Sequence, residues 1–289
     1  MIIATFNVNS VRSRLPILER WLKDVKPDFL FMQETKTQDE FFPEDFFAAL
    51  GYKSFYRGQK SYNGVAVIFK KNFEDIKVNF GFNDGCEENF DTRVMTLEYK
   101  NIKILNTYVP QGKEITHPDF EVKINFFARV KNIIEVSEKK NFLWLGDLNV
   151  APEDIDVTNP EKKRTHVCVC EKIREVFRDS KLNLIDMLRK FNKNSDVFTF
   201  FDYRVPNAVA RKIGWRIDLM LASESLAEKI KNFCVSLRNF FLEIFFIISS
   251  NPKLKKIKIF SGVNNFETED FFSGLNSLFS YNGFLCCCR

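Results

Sequence analysis

The sequence has 289 residues, 45% apolar and 28% charged, which allows one large core and excludes a disordered chain. Its formal net charge of +5 is mildly basic, so an anionic partner is permitted without being demanded. The start, MIIATFNVNS, has no basic n-region or apolar h-region, and no run reaches the length of a membrane span, so neither a secretory signal nor a membrane anchor is expected.

Seven unevenly placed cysteines, an odd number, argue against a disulfide framework and for a reducing cytoplasm. The 33 phenylalanines, beside many Lys, Asn and Ile, fit AT-rich coding, so clusters of Phe carry little weight as stacking platforms.

In chain order, IIATFNV reads as a buried strand. RSRLPILERWLKDVKP places Leu15, Leu18, Leu22 and Val25 on one helical face, and the helix should stop before Pro27. DFLFMQE returns as a strand, and FFPEDFFAALG reads as a short helix with Gly51 just past its end. GVAVIFK is a strand. VMTLEYKNIKILNTYV is a hairpin turning at Lys100-Asn101. DFEVKINFFARVKNIIEVSEKK is a long amphipathic helix leading into the strand of NFLWLGDLNV. KIREVFRDSKLNLIDMLRKF is helical, WRIDLMLAS is a strand, and Ser225-Leu-Ala-Glu228 opens a further helix as a capping box. Strands alternate with helices but hairpins sit among them, which predicts a mixed α/β layered fold. The texture changes after about Ser236, where Phe, Asn, Ser and Lys dominate. Residues 1–236 therefore read as one catalytic domain and 237–289 as a divergent tail, from a shifted reading frame or a poorly folded end.

Polar residues recur at strand ends: Asn7, Glu34, Tyr108, Asp147, Asn149 and Asp218. A single one is usually a turn former. Six behind apolar strands suggest a site, because buried polar groups need partners or a metal. Carboxylate and amide oxygens suit Mg²⁺ or Mn²⁺ better than zinc. Only two histidines occur, His117 and His166, so a His-based zinc site is not expected, and THVCVCEK matches no common finger.

FNVNSVRSR, QETK, GQKSYNGVAV, NTYVPQG, GDLNVAPEDIDV and WRIDLMLAS, in this order, resemble the exonuclease III family of abasic-site DNA repair nucleases, within the endonuclease/exonuclease/phosphatase superfamily. The resemblance implies a four-layer α/β sandwich of two facing sheets flanked by helices. It also implies Mg²⁺-dependent hydrolysis, with Mn²⁺ as a substitute, of double-stranded DNA at abasic sites and 3′ ends. The cysteines, the lack of a membrane span and the lack of an obvious interface pattern lead to the expectation of a cytoplasmic monomer with no membrane partner. The resemblance further assigns site residues. It gives Asn7 and Glu34, with Asp147 and Asn149 beside them, to the metal. Asp147 positions or deprotonates the attacking water, Tyr108 stabilises charge on the phosphate, and Asp218 supports the site. Arg93, Tyr203, Arg204, Arg211 and Trp215 are the implied DNA contacts, with Lys212 as a further phosphate contact and Phe200 and Phe201 as candidate walls of a sugar pocket.

The family closes with a Ser-Asp-His segment, and no histidine follows His166 here. The expected window falls near ISSNPK, where Ser249, Ser250 and Asn251 stand. Losing one donor aimed at a transition-state oxyanion costs about 10²–10³ in rate, so reduced turnover is expected. FFLEIFFII is apolar enough to replace the lost last strand, and equally has the composition of an aggregation-prone segment. Two other readings stay open: a DNA-binding remnant without turnover, and a superfamily phosphoesterase acting on RNA, lipid or a small phosphate ester.

Overall fold

The computed structural model describes residues 1–137, 141–194, 197–237 and 244–249. Twelve strands among them form two six-stranded sheets. The first has the order β11 (Asn232–Leu237), β12 (Ile244–Ser249), β1 (Ile2–Asn7), β2 (Phe29–Gln33), β4 (Val65–Lys70), β3 (Tyr52–Arg57). The second runs β5 (Lys77–Phe80), β6 (Val94–Tyr99), β7 (Ile102–Tyr108), β8 (Asn141–Asp147), β10 (Asp218–Ala222), β9 (Ile185–Asp186). The helices are α1 (Leu15–Val25), α2 (Glu44–Ala49), α3 (Pro118–Glu135), α4 (Glu171–Ser180), α5 (Met187–Phe191) and α6 (Glu224–Ala227).

The side-chain period of two sorts these strands into layers. Phe29 and Phe31 of β2 join Val65, Val67 and Phe69 in a core shared with Met95, Ile104, Leu143, Leu145 and Met220 of the other sheet. The alternate residues Leu30 and Met32 face Leu18, Trp21 and Leu22 of α1 and Phe47 of α2. Leu105, Trp144, Leu219 and Leu221 cover the outer face of the second sheet beneath Phe126, Phe127 and Val130 of α3 and Phe177 of α4. Burial on both faces explains why FLFMQ and NFLWLGD read as continuous apolar runs. The result is the four-layer sandwich expected.

Several local expectations need correction. The stretch read as one helix from Lys172 breaks after Ser180, where Leu182 takes a left-handed φ of 48°, and resumes as β9 and α5. The capping box at Ser225 does not form: α6 starts a residue earlier, and the Ser225 hydroxyl instead donates to Asn141 at 3.2 Å. The end of FFLEIFFII does form a strand with the following serine, Ile244–Ser249, antiparallel to β1 with Thr5 opposite Phe246 and Ile2 opposite Ser249. That register overturns the placement of the missing segment near ISSNPK. Ser249 lies at the start of β1, the end remote from Asn7. Ser250, Asn251 and the rest of the tail, like 238–243, lie outside the described residues.

Among the described residues, no helix is long and apolar enough to cross a membrane. One glycine is required at the site end of the second sheet. Gly146 has a φ of 129°, and a Cβ on it would lie 2.1 Å from the Thr107 carbonyl oxygen of the neighbouring strand. Gly146→Ala is therefore expected to cost about 1–3 kcal/mol in urea denaturation, because backbone cannot yield as a side chain does.

Candidate active site

The two parallel pairings set the strand ends side by side. Asn7 of β1 stands opposite Gln33 of β2, so Glu34 leaves the sheet beside it. Tyr108 of β7 stands opposite Asp147 of β8, and antiparallel β10 brings Asp218 opposite Asp147 from the other side. Gln33, fully buried, joins the sheets behind this cluster: its Nε2 donates to Thr5 Oγ1 at 2.8 Å and to Asn106 Oδ1 at 2.6 Å.

Asn7 is the hub. Its Nδ2 donates to Glu34 Oε1 and to Asp147 Oδ2, both at 2.8 Å, drawing one carboxylate from each sheet to the same amide. The Asn149 backbone N–H donates to Asp147 Oδ1 at 3.0 Å, and its side chain donates to the Val109 carbonyl at 2.9 Å. Asn149 takes a φ of 48°, a left-handed conformation that Asn tolerates better than most residues. Arg93 completes the group: its Nη1 donates to the Tyr108 carbonyl at 3.1 Å and its guanidinium lies 4.5 Å from the Tyr108 ring centre.

Electrostatics single out this end of the sandwich. Burial, reinforced by the Glu34 charge, pushes the Asp147 carboxyl up to about 7 against the hydrogen bonds from Asn7 and Asn149. Burial and then the Asp147 charge push Asp218 well above the carboxylate range, although the Thr199 hydroxyl opposes this. Burial and the charges of Glu34 and Asp147 keep the Tyr108 phenol protonated. Acidic groups crowded so that each disfavours ionisation of the next mark a place that favours a cation or a proton.

The metal expectation can be weighed against these donors. Among the described residues no three His, Cys, Asp or Glu side chains converge closely enough to enclose an ion by themselves. Mg²⁺ takes one or two carboxylates and keeps several waters. Glu34 and Asp147, drawn to one amide, are such carboxylates; Asn7 could join them only through its oxygen, which here accepts from the Asn9 N–H at 3.1 Å.

The expected DNA contacts separate. Arg93 belongs to the centre. Tyr203 and Arg204 lie on the loop of 200–213, Tyr203 being 87% exposed, while Arg204 is paired with Asp202 at 2.7 Å. Arg211, on the same loop, donates to the Pro206 carbonyl at 3.3 Å. Phe201 is buried in the core between the sheets, whereas Phe200 is partly exposed. Trp215 is half-buried, with His166 4.5 Å from its ring and Lys163 Nζ 4.3 Å above it. Burial, then the charges of Lys123 and Lys163, draw His166 down to about 4, so it is neutral near pH 7 and is no substitute for a charged histidine. In the neighbouring basic run Arg164 is paired with Asp154 and Glu161.

Sequence reasoning missed Lys123. It is wholly buried on α3, and its Nζ donates to the carbonyls of Asn149 (2.7 Å), Val167 (2.7 Å) and Gln111 (3.1 Å). Three loops around the site are thus tied to one ammonium, including the one carrying Asn149. Burial draws that ammonium below its usual value, against the pull of Cys168 and Asp147. The signal was present: Lys123 falls on the apolar stripe Phe120, Phe127, Val130, Ile134. Lys123→Met strips the donor from two buried carbonyls and a partly buried third. A loss of about 3 kcal/mol in thermal denaturation is expected, with slower turnover at temperatures where the variant is folded.

A family model described as Endonuclease/Exonuclease/phosphatase family matches residues 4–230, a span holding every strand end of the site. The chain belongs to this family. Exodeoxyribonuclease of Bacillus subtilis is 32% identical over 245 residues, covering 82% of this chain and 93% of the relative. An AP endonuclease from Archaeoglobus fulgidus superposes with a TM-score of 0.80 at 37% identity, covering 86% of this chain and 98% of the other. The 3′ phosphatase NExo from Neisseria, solved with a product DNA hairpin, superposes with a TM-score of 0.77 at 29% identity over 86% and 98% of the two chains. Family membership thus rests on the catalytic layers themselves and does not depend on the tail.

Proposed function

We propose that this chain is a divalent-metal-dependent DNA phosphodiesterase of abasic-site repair, with a 3′→5′ exonuclease activity on the same centre. The observation that carries the reading is the Asn7 amide held between Glu34 and Asp147, one carboxylate from each sheet, beside Tyr108 and Arg93. The relatives named exodeoxyribonuclease and AP endonuclease support the substrate class.

In this reading Glu34, with Asn7 through its amide oxygen, would hold Mg²⁺, or Mn²⁺ in its place. When bound, the cation offsets charge on the phosphoryl oxygens and on the leaving 3′-oxygen. Asp147 orients the attacking water and takes its proton, and the Asn149 N–H fixes the carboxylate that does so. Tyr108 donates from its protonated phenol to a phosphate oxygen, and Arg93 adds a fixed positive charge from behind its ring. Asp218 buttresses Asp147 from the adjoining strand. The exposed residues Tyr203, Arg204 and Arg211 would meet the duplex without reading its sequence. Free thiols at Cys86, Cys168 and Cys170 support a reducing compartment, and the reading is of a cytoplasmic monomer.

A second reading, a DNA-binding remnant without turnover, has one observation in its favour: no histidine follows His166. A panel of abasic duplex DNA, RNA and phosphoinositide, each with Mg²⁺, separates the possibilities. Cleavage confined to the abasic duplex is expected. Preference for RNA or lipid would transfer the chain to another substrate class, and salt-dependent duplex binding without cleavage would leave the remnant.

A further inference from the structure

Glu34 has two carboxylate oxygens, and both are engaged. Oε1 accepts from Asn7, while Oε2 is 2.7 Å from the ammonium of Lys36, two residues along the chain. Lys36 Nζ also donates to Asn9 Oδ1. Among the described residues, Lys36 is the one cation in ion-pair contact with Glu34, Asp147 or Asp218.

The loop is built to return this lysine to the site. Glu34 and Lys36 both have left-handed φ angles, 53° and 51°. Their backbone is pinned on two sides: Ser10 N–H donates to the Glu34 carbonyl at 2.8 Å, and Lys36 N–H donates to the Asn63 carbonyl at 2.9 Å. Gly64 presses against Thr35, where a Cβ would lie 1.9 Å from the Thr35 hydroxyl. Strained non-glycine backbone held on both sides is usually retained for a site rather than for stability. The side chain itself is partly exposed, at 30%, while its Cα is fixed by the backbone bonds.

We infer that Lys36 is a resident counter-cation that shares Glu34 with the divalent metal, holding Oε2 in the metal-free protein and leaving it when the metal binds. The inference rests on the assignment of Glu34 as a metal ligand. An ammonium and a divalent ion crowded on one carboxylate repel each other. The ammonium therefore neutralises Glu34 beside two buried acids while no metal is present. It also weakens metal binding in the absence of substrate.

Mn²⁺ titration followed by electron paramagnetic resonance tests this without measuring turnover. Lys36→Met is expected to bind Mn²⁺ about tenfold more tightly than wild type, because a like charge has been removed from the site. Glu34→Gln is expected to bind it at least tenfold more weakly. A second readout follows the amine directly. After reductive methylation with ¹³C-formaldehyde, the Lys36 resonance, assigned by its absence in Lys36→Met, should shift when Mg²⁺ is added to wild type and stay still in Glu34→Gln. Equal or weaker Mn²⁺ affinity in Lys36→Met, or a Lys36 resonance indifferent to Mg²⁺ in wild type, overturns the inference while leaving the metal site standing. Unchanged Mn²⁺ binding in Glu34→Gln overturns the metal assignment itself.

Discussion

Asp147→Ala is expected to lower Mg²⁺-dependent incision of an abasic duplex by about 10⁴-fold, the upper range for removal of a general base. Single-turnover kinetics would measure the loss. The thermal midpoint should not fall with it. Asp147 is 5% exposed, and its carboxyl is pushed up by burial and by Glu34, so its charge opposes folding. Removing it relieves that repulsion. A residue whose loss destroys turnover and leaves the fold as stable as before is held for chemistry. A fall of many degrees would instead place Asp147 among the structural acids.

The opposite pattern is expected at Asp156. This carboxylate is wholly buried, with Arg216 Nε at 2.7 Å and Arg216 Nη2 at 3.0 Å, and Arg189 bound to the same Oδ1. Asp186 holds the same Arg216 Nη2 at 2.8 Å. Asp156→Ala leaves the buried Arg216 and the partly buried Arg189 short of a partner, and about 3–5 kcal/mol of stability should be lost in urea denaturation. The pH dependence has a definite sign. Burial alone would raise the Asp156 carboxyl, but Arg216 and then Arg189 outweigh it and hold the group below the usual range. A depressed folded pKa contributes stability that is complete above the unfolded value of about 3.9 and is lost as pH falls through the folded one. The gap between wild type and Asp156→Ala should therefore be full at neutral pH and close below about pH 4. Arg216 lies two residues before Asp218, so the network also fixes where β10 enters the site.

The layered fold was legible because its central strands are buried on both faces and carry unbroken apolar runs, as in FLFMQ and NFLWLGD. Strands at or near the sheet edges were not. YKSFYR mixes exposed and buried positions and KVNF is four residues long, so β3 and β5 gave no comparable signal. The break after α4 carries no Gly or Pro, and Leu182 adopts its left-handed backbone without any marker in the sequence. Asn7, Glu34, Tyr108, Asp147 and Asp218 could be named in advance, because a polar side chain ending an apolar strand is a local pattern. Their partners could not. That Asn7 bridges two sheets 140 positions apart, or that Lys123 collects carbonyls from three loops, depends on strand order and register. The same reason undid the expected window at ISSNPK. Counting residues from Asp218 ignored the antiparallel register that carries Ser249 away from Asn7.

On the proposed function, the missing histidine should lower the rate and leave the reaction the same. The charge of the transition state would then fall to Tyr108, Arg93 and the metal, and turnover about 10²–10³ below a full complement of donors is the expected consequence.

The most direct measurement incubates the purified chain with a duplex carrying one abasic analogue, in Mg²⁺ and in chelator. Incision 5′ to the lesion that requires Mg²⁺ is the predicted result. Incision that survives the chelator, or none in Mg²⁺ at a salt concentration where the duplex is bound, would contradict the assignment of this centre to metal-dependent DNA hydrolysis.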